Sequence, residues 1–195
     1  MAAKLPKAVI EQFEASSSVI YVLDHSLRIV YCNAAWDRFA ERNGGDSCRR
    51  ERVVGADLPA VIADPLRSFY KEGFRRVLRT QSPWEHEYEC SSAVSNRFFD
   101  MRVLPLGKPH LLIENSVVVE RPHDPHRLRM PPIETMYTDE SGSILMCAHC
   151  RRTRRITHTA PVWDWVPDFV NNLPRRTSQG LCENCRAYYF ASARP

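Results

Sequence analysis

Two Cys-x-x-Cys pairs carry the most distinctive chemistry in this 195-residue chain: Cys147 with Cys150 in "ILMCAHC", and Cys182 with Cys185 in "GLCENC". A Cys-x-x-Cys turn presents two thiolates to one ion, while backbone N–H groups of the turn donate to the sulfurs. Two such turns supply the four soft ligands of a tetrahedral zinc site, with Zn–S near roughly 2.3 Å. Protein then fills all four positions and leaves none for water, so the pattern predicts a structural Zn2+ rather than a catalytic one. A thiol switch would need exposed thiolates of low pKa, and an iron–sulfur cluster would also accept four cysteines; the ligand count and spacing favour zinc over both. His149, inside the first pair, is expected to face solvent as a turn residue rather than to act as a fifth ligand, and His158 is read the same way. The remaining cysteines, Cys32, Cys48 and Cys90, are scattered and read as small apolar or surface residues. Seven cysteines is an odd count, which fits a reducing compartment better than a paired secreted framework.

Directly after the first pair come Arg151, Arg152, Arg154 and Arg155. These four could track a phosphate backbone, each contributing a salt-dependent term. They could equally form a solvated basic face, or pair with Glu85, Glu87 and Glu89 of this chain or of a second copy. No helix long enough for base readout follows them. The whole chain carries a net charge of +4, and residues 147–195 hold eight arginines against Asp164, Asp168 and Glu183, so any polyanion contact falls to this tail.

Other catalytic signatures are missing: no Gly-rich phosphate loop, no Gly-x-Ser-x-Gly and no paired-histidine motif occurs, so an enzyme is the least expected class. A 44% hydrophobic content with 10% aromatics is that of a globular protein. No apolar run approaches the roughly 18 residues of a membrane span, and the start "MAAKLPKAVIEQFEA" lacks the apolar core of a secretory signal. A cytoplasmic protein without membrane contact is expected.

The elements that would position these residues can be read from periodicity. "KAVIEQFEA" (7–15) is an amphipathic helix. "SVIYVLD" and "RIVYCN" are two strands, and Asn33 is a good N-cap for "AAWDRFAERN", which "GG" at 44–45 terminates. Asp64–Pro65 opens the longest helix, along which Leu66, Phe69, Tyr70, Phe74, Val77 and Leu78 follow helical spacing. Three strands follow. "PWEHEYEC" sets Trp84, His86, Tyr88 and Cys90 opposite its glutamates, "RFFDMRVLPL" groups Phe99, Met101 and Val103, and "HLLIENSVVVE" completes the set. Residues 121–143 hold four prolines and read as a linker or an extended surface segment. Beyond it, "PVWDWV" is strand-like and Pro167 opens a short helix; Trp163, Trp165, Phe169, Val170 and Leu173 are the expected core of a module too small to fold without its metal.

Two strands, helices, then three strands predict an α+β domain with an antiparallel five-stranded sheet and helices on one face. The order, and the strand–Asn–helix junction "RIVYCNAAWDRF", resemble a PAS domain over about half of the chain. The acidic-x-Thr motif that often closes that family's last strand is replaced by "VVVERPHD". The division expected is an N-terminal helix at 1–16, a PAS-like sensor at 17–120, the linker at 121–143 and a four-cysteine zinc module at 144–195.

The resemblance implies a ligand pocket between sheet and helices, lined by Val22, Phe39, Ile62, Phe69, Phe74, His86, Phe99, Met101 and Ile113, or else an ordinary filled core. It also implies that the first helix mediates a homodimer or packs back on its own sheet. Haem would need His86 or Met101 as a ligand, because the long helix has no histidine. The tail in turn resembles a C-terminal cysteine module that follows PAS or receiver domains in bacterial signalling proteins, through "ILMCAHC", "RRTRR", "WDWVPDFVNNL" and "TSQGLCENC", with Gln179 in place of that family's histidine. The functional expectation is a non-enzymatic signalling protein whose PAS domain senses a ligand or dimerises and whose zinc module contacts a protein partner. A small nucleic-acid-binding regulator and a haem- or redox-sensing protein are the alternatives.

Overall fold

The computed structural model describes residues 5–107, 109–157 and 160–190. His158 and Arg194 therefore lie outside the described residues. The elements run α1 (Lys7–Ala15), β1 (Val19–Leu23), β2 (Ile29–Cys32), α2 (Ala34–Arg42), α3 (Arg50–Val53), α4 (Leu58–Val61), α5 (Asp64–Thr80), β3 (Trp84–Glu89), β4 (Ser95–Pro105), β5 (Leu111–Pro122), β6 (Ile144–Cys147), β7 (Thr153–Arg155), β8 (Val162–Asp164), α6 (Pro167–Asn171), β9 (Thr177–Gly180) and α7 (Glu183–Phe190). The chain divides into two compact units. The first holds the chain up to Ile62 with Tyr70–Glu87 and Phe99–Val118; the second holds Ala63–Phe69, Tyr88–Phe98 and the chain from Val119 on.

The first unit is organised by an antiparallel five-stranded sheet in the order β2-β1-β5-β4-β3. Strand β1 is buried on both faces, which its continuous apolar run anticipates. On one face Ile20 and Val22 pack against Phe13 of α1, with Val9, Val30 and Leu112 around them. On the other, Tyr21 meets the Trp36 ring of α2 edge-on at 5.3 Å. Helix α1 thus folds back on its own sheet, the second of the two roles expected for it.

Asn33 ties these layers together. It is fully buried; its Oδ1 accepts from the backbone N–H groups of Ile20 and Trp36, both at 3.1 Å, and its Nδ2 donates to the carbonyls of Phe13 and Ser18, both at 2.9 Å. One planar amide therefore caps α2 and joins α1 to β1, a task that needs an acceptor and a two-proton donor on one short side chain. Glu14 adds a second tie: its carboxylate accepts from the Tyr31 hydroxyl at 2.7 Å and from the Ala34 N–H at the start of α2 at 2.9 Å, and pairs with Arg50 at 3.1 Å. A carboxylate at a helix N-terminus is favoured by the helix dipole. In α5, Gly73 lies against the Trp84 ring, where any Cβ would collide.

A four-stranded sheet, β8-β7-β6-β9, belongs to the second unit, with β6 antiparallel to β7 and parallel to β9. Its core is Tyr137, Ile144, Met146, Val166 and Phe169, flanked by Met130 and Met136. This corrects the expected core in two ways. Leu173 is 53% exposed, and Tyr137, Met130 and Met136 come from the stretch read as linker. That stretch is part of the packed unit: β5 continues to Pro122, and Tyr137 is wholly buried with its hydroxyl donating to Asp164 at 3.0 Å.

Asn33→Ala removes the cap and strands several buried backbone groups at once. The expected loss is about 3 kcal/mol of unfolding free energy, read as a lower midpoint in denaturant; a loss below about 1 kcal/mol would show that water replaces the amide.

Candidate metal centre

The parallel register of β6 and β9 brings the two cysteine pairs together. Cys147 ends β6 and stands opposite Gly180, two residues before Cys182. Gly180 approaches closely enough that a Cβ there would sit 3.0 Å from Leu145 Cδ1. The first turn is closed by Cys147 N–H to the Arg152 carbonyl at 2.8 Å and Arg151 N–H to the Cys147 carbonyl at 3.1 Å. The second pair lies at the start of α7, with Cys185 in its first turn.

All four Sγ atoms lie within 4.8 Å of one another. Cys150 and Cys182 are 3.8 Å apart, and the Cys182 N–H approaches Cys147 Sγ at 3.5 Å. A tetrahedron with metal–sulfur bonds of roughly 2.3 Å has edges of about 3.8 Å, so the donor set fits a tetrahedral ion. Cys147, Cys182 and Cys185 are buried and Cys150 is half-buried. Hydrogen bonds from Cys150 and Cys185 hold the Cys147 thiol far below its ordinary range, and the same sharing pushes Cys150 up to about 12 and Cys185 well upward. A divalent ion bound by the four sulfurs would displace whatever protons they share. By contrast, burial is the main cause that raises the Cys32 thiol of β2 to about 12.

His149 is not solvent-facing as expected. It is half-buried, its Nδ1 lies 2.8 Å from the Tyr189 hydroxyl, and its ring packs against Tyr188 and Tyr189 at 5.6 and 5.3 Å. Burial lowers its pKa. The reason is the aromatic end of α7, which carries no signal in a sequence read for ligands.

The four arginines separate. Arg155 makes a bidentate pair with Asp164, at 2.7 and 2.9 Å, so its guanidinium is committed inside the module and leaves the expected polyanion set. Arg151 is half-buried with φ 61°, in the left-handed region. Arg152 and Arg154 are exposed.

The residues expected to line a sensor pocket separate as well. Phe39 and Phe99 meet edge-to-face at 5.6 Å, and Ile113 pairs with Tyr21 across the strands, on the α2 face. Phe74 and Met101 are buried, Ile62 half-buried, and His86 half-buried beside Trp84 and Tyr70 at 5.9 and 5.8 Å. Val22 leaves the set because strand alternation turns it to the α1 face. Phe69 leaves it too: it packs on Tyr189 at 4.9 Å, in the second unit.

A cleft of about 830 Å3 lies in the second unit, bordered by Cys150, Cys182, Cys185, His123, Arg127 and Arg152. Sequence reasoning missed His123 and Arg127, because both fall in the presumed linker. Among the described residues no helix is long and apolar enough to cross a membrane.

With the five-stranded sheet, the Asn33 junction and the order of elements in place, the family follows. A family model described as "PAS fold" matches residues 13–123, more than half of the chain, and the protein belongs to that family. No curated protein matches it. Among solved structures it is similar to the PAS domain of Bordetella pertussis BvgS, at 19% identity and TM-score 0.46 over 59% of this chain and 87% of that one. It is also similar to the PAS domain of the Cronobacter turicensis quorum-sensing receptor RpfR in complex with C12:0, at 20% identity and TM-score 0.42 over 53% and 96%. PAS domains are typical of signalling sensors; the four-cysteine site lies outside the matched residues.

The left-handed backbone at Arg151 costs a residue with a Cβ about 1 to 2 kcal/mol. Arg151→Gly is therefore expected to stabilise the metal-loaded protein by about 1 kcal/mol, seen as a higher thermal midpoint; a lower midpoint would mean that the arginine side chain contributes more than its backbone costs.

Proposed function

We propose that the protein is a non-enzymatic regulatory protein of a signalling pathway. Its PAS domain senses a small ligand or holds two copies together, and its four-cysteine site binds a structural Zn2+ that shapes a module for contact with a protein partner. The observation that carries this reading is the complete ligand set: four sulfurs within 4.8 Å leave no coordination position for a substrate or water. Zinc is favoured over iron–sulfur chemistry because the site is sized for one ion, with a sulfur–sulfur edge of 3.8 Å. A reducing, cytoplasmic compartment would keep such thiolates free to bind metal. The nucleic-acid reading loses support because Arg155 is engaged by Asp164, which leaves Arg152 and Arg154 as the exposed cations of the cluster.

Elemental analysis, a visible spectrum and a titration with generic duplex DNA on the purified full chain test the proposal together. One zinc per chain, no visible band and no saturable duplex binding are expected. A haem or iron–sulfur band would overturn the structural-zinc reading. Duplex binding that weakens linearly with log salt would assign the module to nucleic acid instead.

A further inference from the structure

Arg127 is a cation held with unusual firmness. Its guanidinium lies over the Trp165 ring at 3.9 Å, and its Nη1 donates to His123 Nδ1 at 3.0 Å. His123 is buried, and its Nε2 is 2.8 Å from the Ser92 carbonyl. A guanidinium only donates and a carbonyl only accepts, so this imidazole is neutral with its proton on Nε2. The His123 N–H also reaches the Val94 carbonyl, which fixes the ring from its own backbone.

Arg127 is nevertheless poorly compensated. Among the described residues neither Arg127 nor Arg152 has a carboxylate within 4.0 Å. Desolvation and then the neighbouring Arg152 and Arg129 weaken Arg127's hold on its proton, while Glu89 and Cys150 act in the opposite sense. The nearby Glu89 carboxylate accepts from the Ser91 hydroxyl at 2.6 Å. Half-buried Arg127 and exposed Arg152 share a cleft bordered by three cysteines of the cluster, and the described carboxylates supply neither with a counter-charge at contact distance.

A divalent ion held by four thiolates carries a net charge of −2. We propose that Arg127 and Arg152 are the counter-charges of the four-thiolate metal centre, and that His123 and Trp165 hold Arg127 beside it. Their two positive charges match the deficit. An external anion in the cleft is the competing occupant: Arg121 lines the cleft too, but so do Glu89 and Asp124, and with the metal–thiolate charge the lining is net negative and disfavours another negative group. This inference rests on the reading that the cysteines bind a divalent ion. Removing groups that support metal ligands from outside typically costs 10- to 100-fold in affinity.

The test is zinc affinity of the full chain, measured by competition with a chromophoric chelator at low and high salt. Arg127→Gln and Arg152→Gln are each expected to lower affinity about tenfold, with the deficit shrinking at high salt because it is electrostatic. Arg127→Lys should recover most of the loss. Arg154→Gln, which removes an exposed arginine outside the cleft, should leave affinity within about twofold. Arg152 is exposed, so its variant reports on charge even if Arg127→Gln folds poorly. Wild-type affinity in Arg152→Gln, alongside one zinc per wild-type chain, would overturn the inference and leave the metal site standing. Failure of the wild-type chain to bind zinc would overturn the site itself. Phosphate or citrate binding that Arg127→Gln abolishes, with zinc affinity unchanged, would make the cleft an anion site and refute the counter-charge role.

Discussion

Four sulfur atoms from two turns far apart in sequence lie within 4.8 Å of one another, and this approach ties the ends of β6 and β9 into one site of the second unit. Its sheet is made of strands of three or four residues, too short to hold together through ladder hydrogen bonds alone. Around it Tyr137, Met146, Val166 and Phe169 form one cluster, and Trp165, Leu181 and Tyr189 are buried as well; a staple across the cysteine turns would add to this packing. A cation on the four thiolates would supply that staple, because ligands brought together only in the folded state turn metal affinity into folding energy. The parallel pairing of β6 with β9 sets the geometry: it lays Cys147 opposite Gly180 and so delivers both turns to one point.

Around this centre the charges follow a consistent pattern. Arg155 is neutralised within the module by Asp164, to which Tyr137 also donates, so one carboxylate serves two elements. The contact with Asp164, after burial, raises the Tyr137 pKa to about 12, which keeps the phenol a donor throughout the neutral range. Arg127 sits instead on the Trp165 face and donates to His123. The stretch matched to the PAS family reaches residue 123, and Tyr88–Phe98 belongs to the second unit. His123, through Ser92 and Val94, therefore connects the β3–β4 hairpin with the chain that leads to the cysteines.

Much of the PAS half was legible in the sequence because its signals are local. Asn33 reads as an N-cap from position alone, though its bonds to Phe13 and Ser18 depend on a tertiary approach that sequence spacing does not encode. Alternation in β3 and β4 was readable for the same reason; the face of Val22 was not, since a strand buried on both sides has no polar residues to mark direction. The four cysteines that cluster were legible as a duplicated Cys-x-x-Cys. What stayed hidden was everything supplied from residues 121–143. Prolines and charges there mimic a linker, yet Tyr137 fills the core and His123 and Arg127 border the cleft. Arg155 illustrates the converse: within "RRTRR" it is indistinguishable from its neighbours until β7 pairs with β8 and places it beside Asp164.

The proposed function and the counter-charge role of Arg127 and Arg152 both turn on a single divalent ion held by four sulfurs. X-ray absorption at the zinc edge on the purified, zinc-loaded full chain measures this directly. Four sulfur neighbours at about 2.3 Å with no nitrogen or oxygen scatterer are expected. A shell containing nitrogen or oxygen at about 2.0 Å would contradict this, because the ion would then lie outside the four-thiolate centre or retain an open position.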